Sequence, residues 1–264
     1  VPPDSLHVGL GIMRERAARV QAELDIHSVP GAGTRVTLTL PRLQPAPIVC
    51  WSVRDTPDAA HAHSLFTRLV IRVSGLYLAR VTTIFNVSAR SAAYCARALG
   101  WPTERTALLP NGVDTALFKP DADARASLRG RLVLTDDVPV IGMVARWSPV
   151  KNHALFLAAF AALLKRRPTA HAVLVGKGLA TDNPELMGIV SALGLENGCH
   201  LRGPQAAVHQ LYPAFDVLAL SSRSEGFPNV LVEAMSCGVP VVSTDGGDAR
   251  DIVGAGGRIV AHEA

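Results

Sequence analysis

Short apolar runs alternate with segments of helical spacing over most of the chain. The apolar runs predict strands at residues 48–53, 82–87, 106–109, 138–144, 170–175, 200–201, 216–220, 239–242 and 258–260. Helices are predicted between them at residues 64–78, 88–99, 153–166, 184–193 and 230–236. Runs that are apolar throughout are typical of strands buried on both faces, and helical connections place such strands parallel. The pattern therefore predicts an α/β fold of the Rossmann-like type, with helices on both faces of a parallel sheet and ligands at the carboxyl ends of its strands.

The first 41 residues follow a different pattern. Residues 10–24 carry apolar positions at helical spacing, residues 30–33 predict a turn, and residues 34–40 alternate as a half-buried strand does. Three prolines within 41–47 predict a junction before the α/β part. The chain starts at Val1 with neither a signal-peptide pattern nor an initiating Met, which indicates that it begins inside a longer reading frame.

Composition narrows the class of protein. Apolar residues make up 48% of the 264 residues, which is enough for a sizeable core. The net charge of +4 is spread along the chain without a long run of like charges, so no nucleic-acid partner is predicted. The mild basic excess suits an anionic small ligand or peripheral association with a membrane surface. The most apolar window, 66–85, contains Arg68, Arg72 and Arg80, which excludes an ordinary membrane-spanning helix.

Cysteine and histidine placement predicts neither disulfides nor a metal site. The cysteines are far apart and none belongs to a C-x-x-C pair: Cys50, Cys95, Cys199 and Cys237. They are typical of reduced, packed thiols in a reducing compartment. His61 and His63 stand close together without a second group of ligands, so zinc binding is the less favoured interpretation.

The densest group of candidate site residues is the segment 224–235, which follows a predicted strand and opens a helix. Gly226 lets the backbone approach a ligand closely, and the amides near 229–231 would face a phosphate at the positive end of that helix. Glu225 and Glu233 could accept hydrogen bonds from a sugar and from a ribose. The alternative is a helix with an acidic start and a solvated Glu233.

A second group lies at the carboxyl end of the strand at 138–144. Arg146 and Lys151 stand five positions apart on one loop, where two cations can bracket a diphosphate. Arginine offers a planar fork of donors and lysine a compact charge. Two such residues alone would be ordinary surface charges in most proteins.

These segments resemble the family four retaining glycosyltransferases of GT-B architecture. Residues 225–242, E-G-F-P-N-V-L-V-E-A-M-S-C-G-V-P-V-V, reproduce the family's motif of two glutamates separated by seven residues. The resemblance implies that Glu225 contacts the donor sugar, that Glu233 contacts the ribose, and that Arg146 and Lys151 hold the pyrophosphate. It also implies that the sugar and diphosphate contact the backbone of Gly226, Phe227, Pro228, Asn229, Val230 and Leu231.

Shorter matches extend the resemblance. Gly176 lies in a segment similar to the family's glycine turn, with an ordinary strand-to-loop turn as the alternative. Arg202 lies in a segment similar to the one whose backbone contacts the nucleobase. Residues 110–114 resemble the passage between the two domains, where a turn without ligand contact is favoured. Arg54 stands where many members carry a histidine that touches the sugar, which puts that contact in doubt, and Ser88 matches a serine common in the family.

Residues 5–41 resemble the C-terminal end of a sensor histidine kinase ATPase domain, through a glycine-containing stretch at 7–17 and a closing strand at 31–41. The resemblances together imply three parts. Residues 1–41 are a kinase-like remnant, residues 42–114 are a partial N-terminal glycosyltransferase domain, and residues 115–264 are a nucleotide-sugar-binding C-terminal domain that is truncated at its end.

The glycosyltransferase resemblance implies transfer of a sugar from a nucleotide-diphosphate-sugar to a glycan, a lipid-linked or a small-molecule acceptor, with retention at the anomeric carbon. Positive groups would neutralise the charge on the departing diphosphate. No D-x-D metal motif is seen, so no metal and no cofactor are expected. The expected location is the cytoplasm, at the inner face of the membrane if the protein is membrane-associated. Two alternatives stay open: an inactive donor-binding fragment, and a signalling ATPase or kinase.

Overall fold

A computed structural model describes residues 14–29, 33–40, 48–54, 73 and 75–261. The chain divides into two compact units, Val1–Val49 and Cys50–Ala264. In the first unit the described residues form a short helix at 14–19 and an antiparallel hairpin of β1 (Glu23–Val29) and β2 (Gly33–Thr39). The predicted strand at 34–40 is therefore confirmed as β2, but its apolar residues are exposed and not half-buried as predicted: Val36, Leu38 and Leu40.

The prediction of one helix over 10–24 is wrong at its carboxyl end. Gln21 has a φ of 55°, in the left-handed region that a continuing helix cannot use. The chain then enters β1, where Leu24 pairs with Leu38 of β2. Leu24 and Ile26 alternate as strand residues do, but Leu24 also fits the helical spacing, so the pattern alone did not separate the two elements.

The second unit contains a three-stranded parallel sheet in the order β3–β4–β5 (Cys50–Val53, Thr83–Asn86 and Thr106–Leu108). Helix α1 (Ala89–Leu99) begins where predicted, since Ser88 Oγ accepts the Ser91 amide at 2.9 Å. It ends at Gly100, whose φ of 67° closes the helix. Most of the helix predicted at 64–78 lies outside the described residues, which show a 3-10 helix at Gly75–Arg80.

The same unit contains a six-stranded sheet that is parallel throughout, in the order β11–β10–β9–β6–β7–β8. Its strands are β6 (Val140–Val144), β7 (His171–Val175), β8 (Cys199–Leu201), β9 (Val217–Leu220), β10 (Val241–Thr244) and β11 (Gly257–Val260). Its helices are α2 (Ala122–Arg131), α3 (His153–Leu164), α4 (Pro184–Ala192), α5 (Asn229–Ser236) and α6 (Ala249–Val253). The predicted α/β class with a parallel sheet is confirmed, and α2 and α6 were not predicted.

Two apolar clusters cover the six-stranded sheet. One contains residues of α3 and α4, such as Phe156 and Leu186, and the other contains residues of α5 and α6, such as Leu231 and Val253. From β6 the chain proceeds toward β8, whereas from β9 it proceeds the other way toward β11. The direction therefore reverses between the neighbours β6 and β9, and a crevice forms outside the carboxyl ends of strands at such a point.

No helix within the described ranges is long and apolar enough to cross a membrane. The apolar window at 66–85, with its three arginines, falls largely on residues outside those ranges.

Candidate functional site

Two of the residues singled out in the sequence meet where β6 and β9 end. Lys151 Nζ lies 2.5 Å from Glu225 Oε1, and the two side chains are 21% and 12% exposed. Lys151 follows β6 and Glu225 follows β9, and these strands are hydrogen-bonded neighbours. The pair is therefore shielded from bulk water but still reachable from the crevice, which strengthens its electrostatic interactions.

Buried hydrogen bonds fix the two loops that carry this pair. Ser221 Oγ lies 2.9 Å from Lys151 O and 3.0 Å from Asn152 O, and the Arg223 amide donates to Val150 O at 2.8 Å. Asn152 has a φ of 50°, which turns the chain sharply into α3. Because the backbone on both sides is held, the lysine and the carboxylate are preorganised relative to each other.

Arg146 lies on the same loop as Lys151, with an exposed side chain. It has no hydrogen bond or ion pair among the described residues. The loop is packed against the end of β7, because Gly176 has a φ of 148° and a Cβ there would lie 1.9 Å from Ala145 O. The Arg202 amide donates to Leu174 O of β7. The structure thus places Arg146, Gly176 and Arg202 along the carboxyl ends of β6, β7 and β8.

The Glu225–Gly226 turn is supported from β10. Gly247 has a φ of 56°, and a Cβ at this position would lie 2.4 Å from both Glu225 O and Gly226 O. Only glycine allows the loop after β10 to approach this closely. Sequence analysis missed Gly247, although the doubled glycine at 246–247 after a strand is a signal that could have marked it.

The first turn of α5 offers fewer free amides than the sequence predicted. The amide of Leu231 donates to Pro228 O at 3.1 Å and is thereby occupied. Pro228 has no amide hydrogen to donate. No side chain among the described residues caps the start of this helix, so in its first turn the amides of Asn229 and Val230 are left for a ligand. The predicted contact of the Leu231 amide with a ligand stays a prediction, and it would compete with this hydrogen bond within the helix.

Glu233 of α5 contacts a buried tyrosine. The hydroxyl of Tyr212 donates to Glu233 Oε2 at 2.5 Å, and Tyr212 is fully buried. Burial and the nearby Glu233 carboxylate raise the pKa of Tyr212 far above its usual range, so the phenol keeps its proton. Glu233 was predicted to be a ribose ligand or a solvated residue, and the structure places it half-buried with one oxygen engaged.

The segment 110–114, interpreted as a turn between the two domains, reaches α5 in the structure. Asn111 Nδ2 donates to Asn229 Oδ1 at 2.8 Å, and a guanidinium nitrogen of Arg54 donates to Asn111 Oδ1, also at 2.8 Å. The exposed Arg54 is thereby linked through Asn111 to the start of α5. This contact was not predicted.

A second link joins α1 to the loop after β10. Asp248 accepts the amides of Ala89 and Arg90 at 2.9 and 3.3 Å, which caps the start of α1. The Arg90 guanidinium donates to the carboxylate of Asp245. The loop after β10 therefore contacts the start of α1 on one side and the Glu225–Gly226 turn on the other.

His153, the first residue of α3, is buried directly behind Lys151. Burial, assisted by the charge of Lys151, lowers its pKa to about 4. The ring centroid lies 4.9 Å from that of Trp147, and neither ring nitrogen has a hydrogen-bond partner in the described part of the chain. His153 is therefore neutral at physiological pH and adds no charge to the site.

All four cysteines are free. Cys95, Cys199 and Cys237 are buried, as predicted for packed thiols, whereas Cys50 is exposed. Burial raises the pKa of Cys95 and Cys237 to about 11 and that of Cys199 to about 12. Within the ranges that the structure describes, no group of three or more His, Cys, Asp or Glu residues could hold a metal ion. His61 and His63 lie outside those ranges.

The part of the chain that carries this geometry is similar to known proteins. Residues 138–264 match the family described as Glycosyl transferases group 1. The putative glycosyltransferase EpsF of Bacillus subtilis is 36% identical over 142 residues, which are 54% of this chain and 36% of that protein. A D-inositol 3-phosphate glycosyltransferase of Kineococcus radiotolerans is 36% identical over 158 residues, which are 56% of this chain and 36% of that protein.

Solved structures agree with the fold. Anabaena Alr3699/HepE in complex with UDP superposes with a TM-score of 0.72 and 29% identity, over 82% of this chain and 59% of that one. Sucrose-phosphate synthase of Thermosynechococcus elongatus gives a TM-score of 0.70 at 24% identity, over 84% and 56% of the two chains, which supports the fold alone.

Residues 138–264 are therefore similar to a group 1 glycosyltransferase domain, and the α/β fold matches that of GT-B glycosyltransferases. The chain spans little more than a third of the length of these curated relatives. The kinase resemblance of residues 5–41 receives no support from these comparisons.

Proposed function

We propose that the crevice between β6 and β9 binds a nucleotide-diphosphate-sugar, and that the protein transfers the sugar to an acceptor with retention at the anomeric carbon. The observation that carries this proposal is the ion pair of Lys151 and Glu225 at the point where the sheet reverses direction. One group is suited to a phosphate and the other to a sugar hydroxyl, and they are held 2.5 Å apart on fixed loops.

The charges of the site match the charge that develops in such a transfer. Lys151 has three donor hydrogens, of which Glu225 accepts one, so the ammonium can also bind a phosphate oxygen. Arg146 is exposed on the same loop, and the amides of Asn229 and Val230 lie at the positive end of α5. These groups would stabilise the departing diphosphate without a metal ion, and we expect transfer to persist in a chelator.

The donor proposed for the first test is a uridine diphosphate sugar. The structural relative Anabaena Alr3699/HepE, at 29% identity, is in complex with UDP and with UDP-glucose. A sequence relative at 36% identity carries GDP-mannose in its name, so a guanosine diphosphate sugar is the second donor to test. Arg202 lies at the end of β8, where its backbone is proposed to contact the base.

The proposed acceptor is a glycan, a lipid-linked molecule or a small molecule. Relatives of equal identity, 36%, are named for acceptors as different as D-inositol 3-phosphate and a phosphatidylinositol mannoside. Similarity at this level does not select one of them. A cytoplasmic location, with peripheral association at the membrane, is part of the same proposal and fits the basic net charge of +4.

The test begins with calorimetric titration of the purified chain with UDP, GDP and ATP. Radiolabelled UDP-glucose and GDP-mannose are then supplied with an extract of candidate acceptors, and the anomeric configuration of any product is read by NMR. Binding of UDP or GDP with formation of a retained product supports the proposal. Binding without product supports the inactive donor-binding fragment. Binding of ATP alone, with phosphotransfer, would contradict the proposal in favour of the kinase alternative.

A further inference from the structure

Tyr212 belongs to a short 3-10 helix, Tyr212–Ala214, that packs against α2 and α5. Its ring is enclosed by Phe118 at a centroid distance of 5.9 Å and by Phe215 at 6.1 Å. With no exposed surface, the ring has one fixed orientation in the larger apolar cluster. A tyrosine buried in this way needs a partner for its hydroxyl, and the partner here is Glu233.

The direction of this hydrogen bond is fixed by chemistry. The phenol remains protonated because its surroundings disfavour a phenolate, and a carboxylate can only accept. Tyr212 therefore donates its single hydrogen to Glu233 Oε2. Among the described residues, Glu233 Oε1 has no hydrogen-bond partner, which leaves one carboxylate oxygen available.

The position of Glu233 relates this bond to the proposed donor site. Glu233 lies one turn after Asn229, whose amide stands at the start of α5. A glutamate on a helix surface normally samples several rotamers, and fixing it at the moment of binding costs conformational entropy. A buried donor that already holds one oxygen removes part of that cost and strengthens the contact made by the other oxygen.

We propose that Tyr212 is a positioning residue for ribose recognition: its hydroxyl holds Glu233 Oε2, so that Oε1 accepts hydrogen bonds from the ribose hydroxyls of the bound nucleoside diphosphate. This proposal rests on the proposed function, because it assumes that a nucleoside diphosphate binds at the start of α5. It makes the selection of ribose depend on a residue that does not itself touch the ligand.

The test compares UDP with its dideoxy analogue, which lacks both ribose hydroxyls, in calorimetric titrations of the whole chain. GDP and its dideoxy analogue replace them if GDP is the nucleotide that binds. We expect the wild-type chain to prefer the ribose form by about tenfold, since hydrogen bonds to a charged group are at stake. Tyr212→Phe keeps the ring and removes only the hydroxyl, and should reduce this preference to about twofold.

Controls separate positioning from general stability. Tyr94→Phe removes a tyrosine hydroxyl on α1 and should leave the preference unchanged. Glu233→Ala should abolish the preference, and adding Tyr212→Phe to it should have no further effect, because the two residues act on the same contact. A purely structural role would lower the unfolding temperature of Tyr212→Phe but leave the ratio of the two affinities unaltered.

If the Tyr212→Phe variant fails to fold, an NMR measurement on the wild-type chain tests the same proposal. The chain has three tyrosines, so tyrosine labelled at the ring carbon Cζ gives three NMR signals. The Tyr212 signal should shift when UDP is added, but not when the dideoxy analogue is added. An unchanged preference in folded Tyr212→Phe, or a Tyr212 signal indifferent to the ribose hydroxyls, would overturn the positioning role alone. A wild-type chain that binds neither UDP nor GDP would overturn the proposed function as well.

Discussion

The two ends of the β6–β9 strand pair each carry an ion pair, and the two pairs differ in how many hydrogen bonds the protein makes to their cations. At the amino end, Asp216 accepts hydrogen bonds from Arg125, Arg129 and the Val140 amide. Arg129 is 2% exposed and also donates to four backbone carbonyls, so most of its hydrogen-bonding capacity is used within the protein. At the carboxyl end, Lys151 and Glu225 face the crevice, and the ammonium keeps hydrogens that can reach a ligand.

From this difference we expect the pair at the amino end to be structural and the pair at the carboxyl end to bind a ligand. The pair at the amino end joins α2 to the starts of two strands, and every partner lies within the chain. The pair at the carboxyl end holds two loops in register and presents charge to whatever enters the crevice. The first should therefore matter mainly for stability and the second mainly for function.

The largest effect is expected from Arg129→Met. The substitution removes the buried guanidinium from Asp216 and leaves several buried carbonyls without a donor, so unfolding in urea should become easier by about 3 kcal/mol. Arg131→Met, at an exposed position of the same helix, is the matched control and should change stability little. If the two variants lost the same free energy of unfolding, the pair of Arg129 and Asp216 would not stabilise the fold more than an exposed arginine does.

Lys151→Ala should affect sugar transfer more than stability. Its effect on the free energy of unfolding should stay below that of Arg129→Met, whereas sugar transfer by the full-length protein should fall by about a hundredfold or more. Glu225→Ala should likewise abolish transfer without unfolding the protein. The measurements are a urea unfolding curve and an initial rate with saturating acceptor. Transfer at the wild-type rate in either variant would contradict the binding role of this pair.

Lowering the pH should affect the two ends in separate ranges. His153, behind Lys151, has a pKa of about 4 when folded against 6.5 when unfolded, so the unfolded chain binds a proton first as the pH falls. Its contribution to stability is complete above pH 6.5 and is lost between there and pH 4, at a cost of about 3 kcal/mol.

At the amino end, burial raises the pKa of Asp216, but hydrogen bonds from Val140 and the two arginines outweigh it, so the folded value lies below the unfolded 3.8. The stability contributed by Asp216 is therefore lost only as the pH falls below about that value. Urea titrations at several pH values give the free energy of unfolding as a function of pH. Between pH 6.5 and 4 this free energy should fall less steeply in His153→Phe than in the wild-type chain. An equally steep fall in the variant and in the wild-type chain would contradict the burial of a neutral His153.

The smallest effect is expected from Arg54→Ala. Arg54 is exposed and reaches α5 only through Asn111, so solvent screens its charge. UDP affinity should weaken by about threefold at low salt, and the difference should vanish at high salt. An effect as large as that of Lys151→Ala would mean that Arg54 binds the diphosphate directly.

The sheet was predictable because its strands are apolar throughout, and Lys151 and Glu225 were marked by the loops that follow such strands. That these two side chains form an ion pair was not predicted. Other features left no such pattern. Helix α2 is mostly polar, with Leu128 as its one buried aliphatic side chain, so no hydrophobic spacing marks it. Tyr212 lies on an irregular segment, 21 residues before Glu233, and its role depends on a contact that only the folded chain makes.

The central claim is that the carboxyl end of the β6–β9 pair binds a nucleoside diphosphate. Calorimetric titration with UDP and GDP of the wild-type chain, of Lys151→Gln and of Lys165→Gln tests it most directly, because these lysines flank opposite ends of α3. We predict one site for one of the two nucleotides in the wild-type chain, preserved in Lys165→Gln and weakened at least tenfold in Lys151→Gln. Equal affinity in all three proteins, or binding in none, would contradict the account.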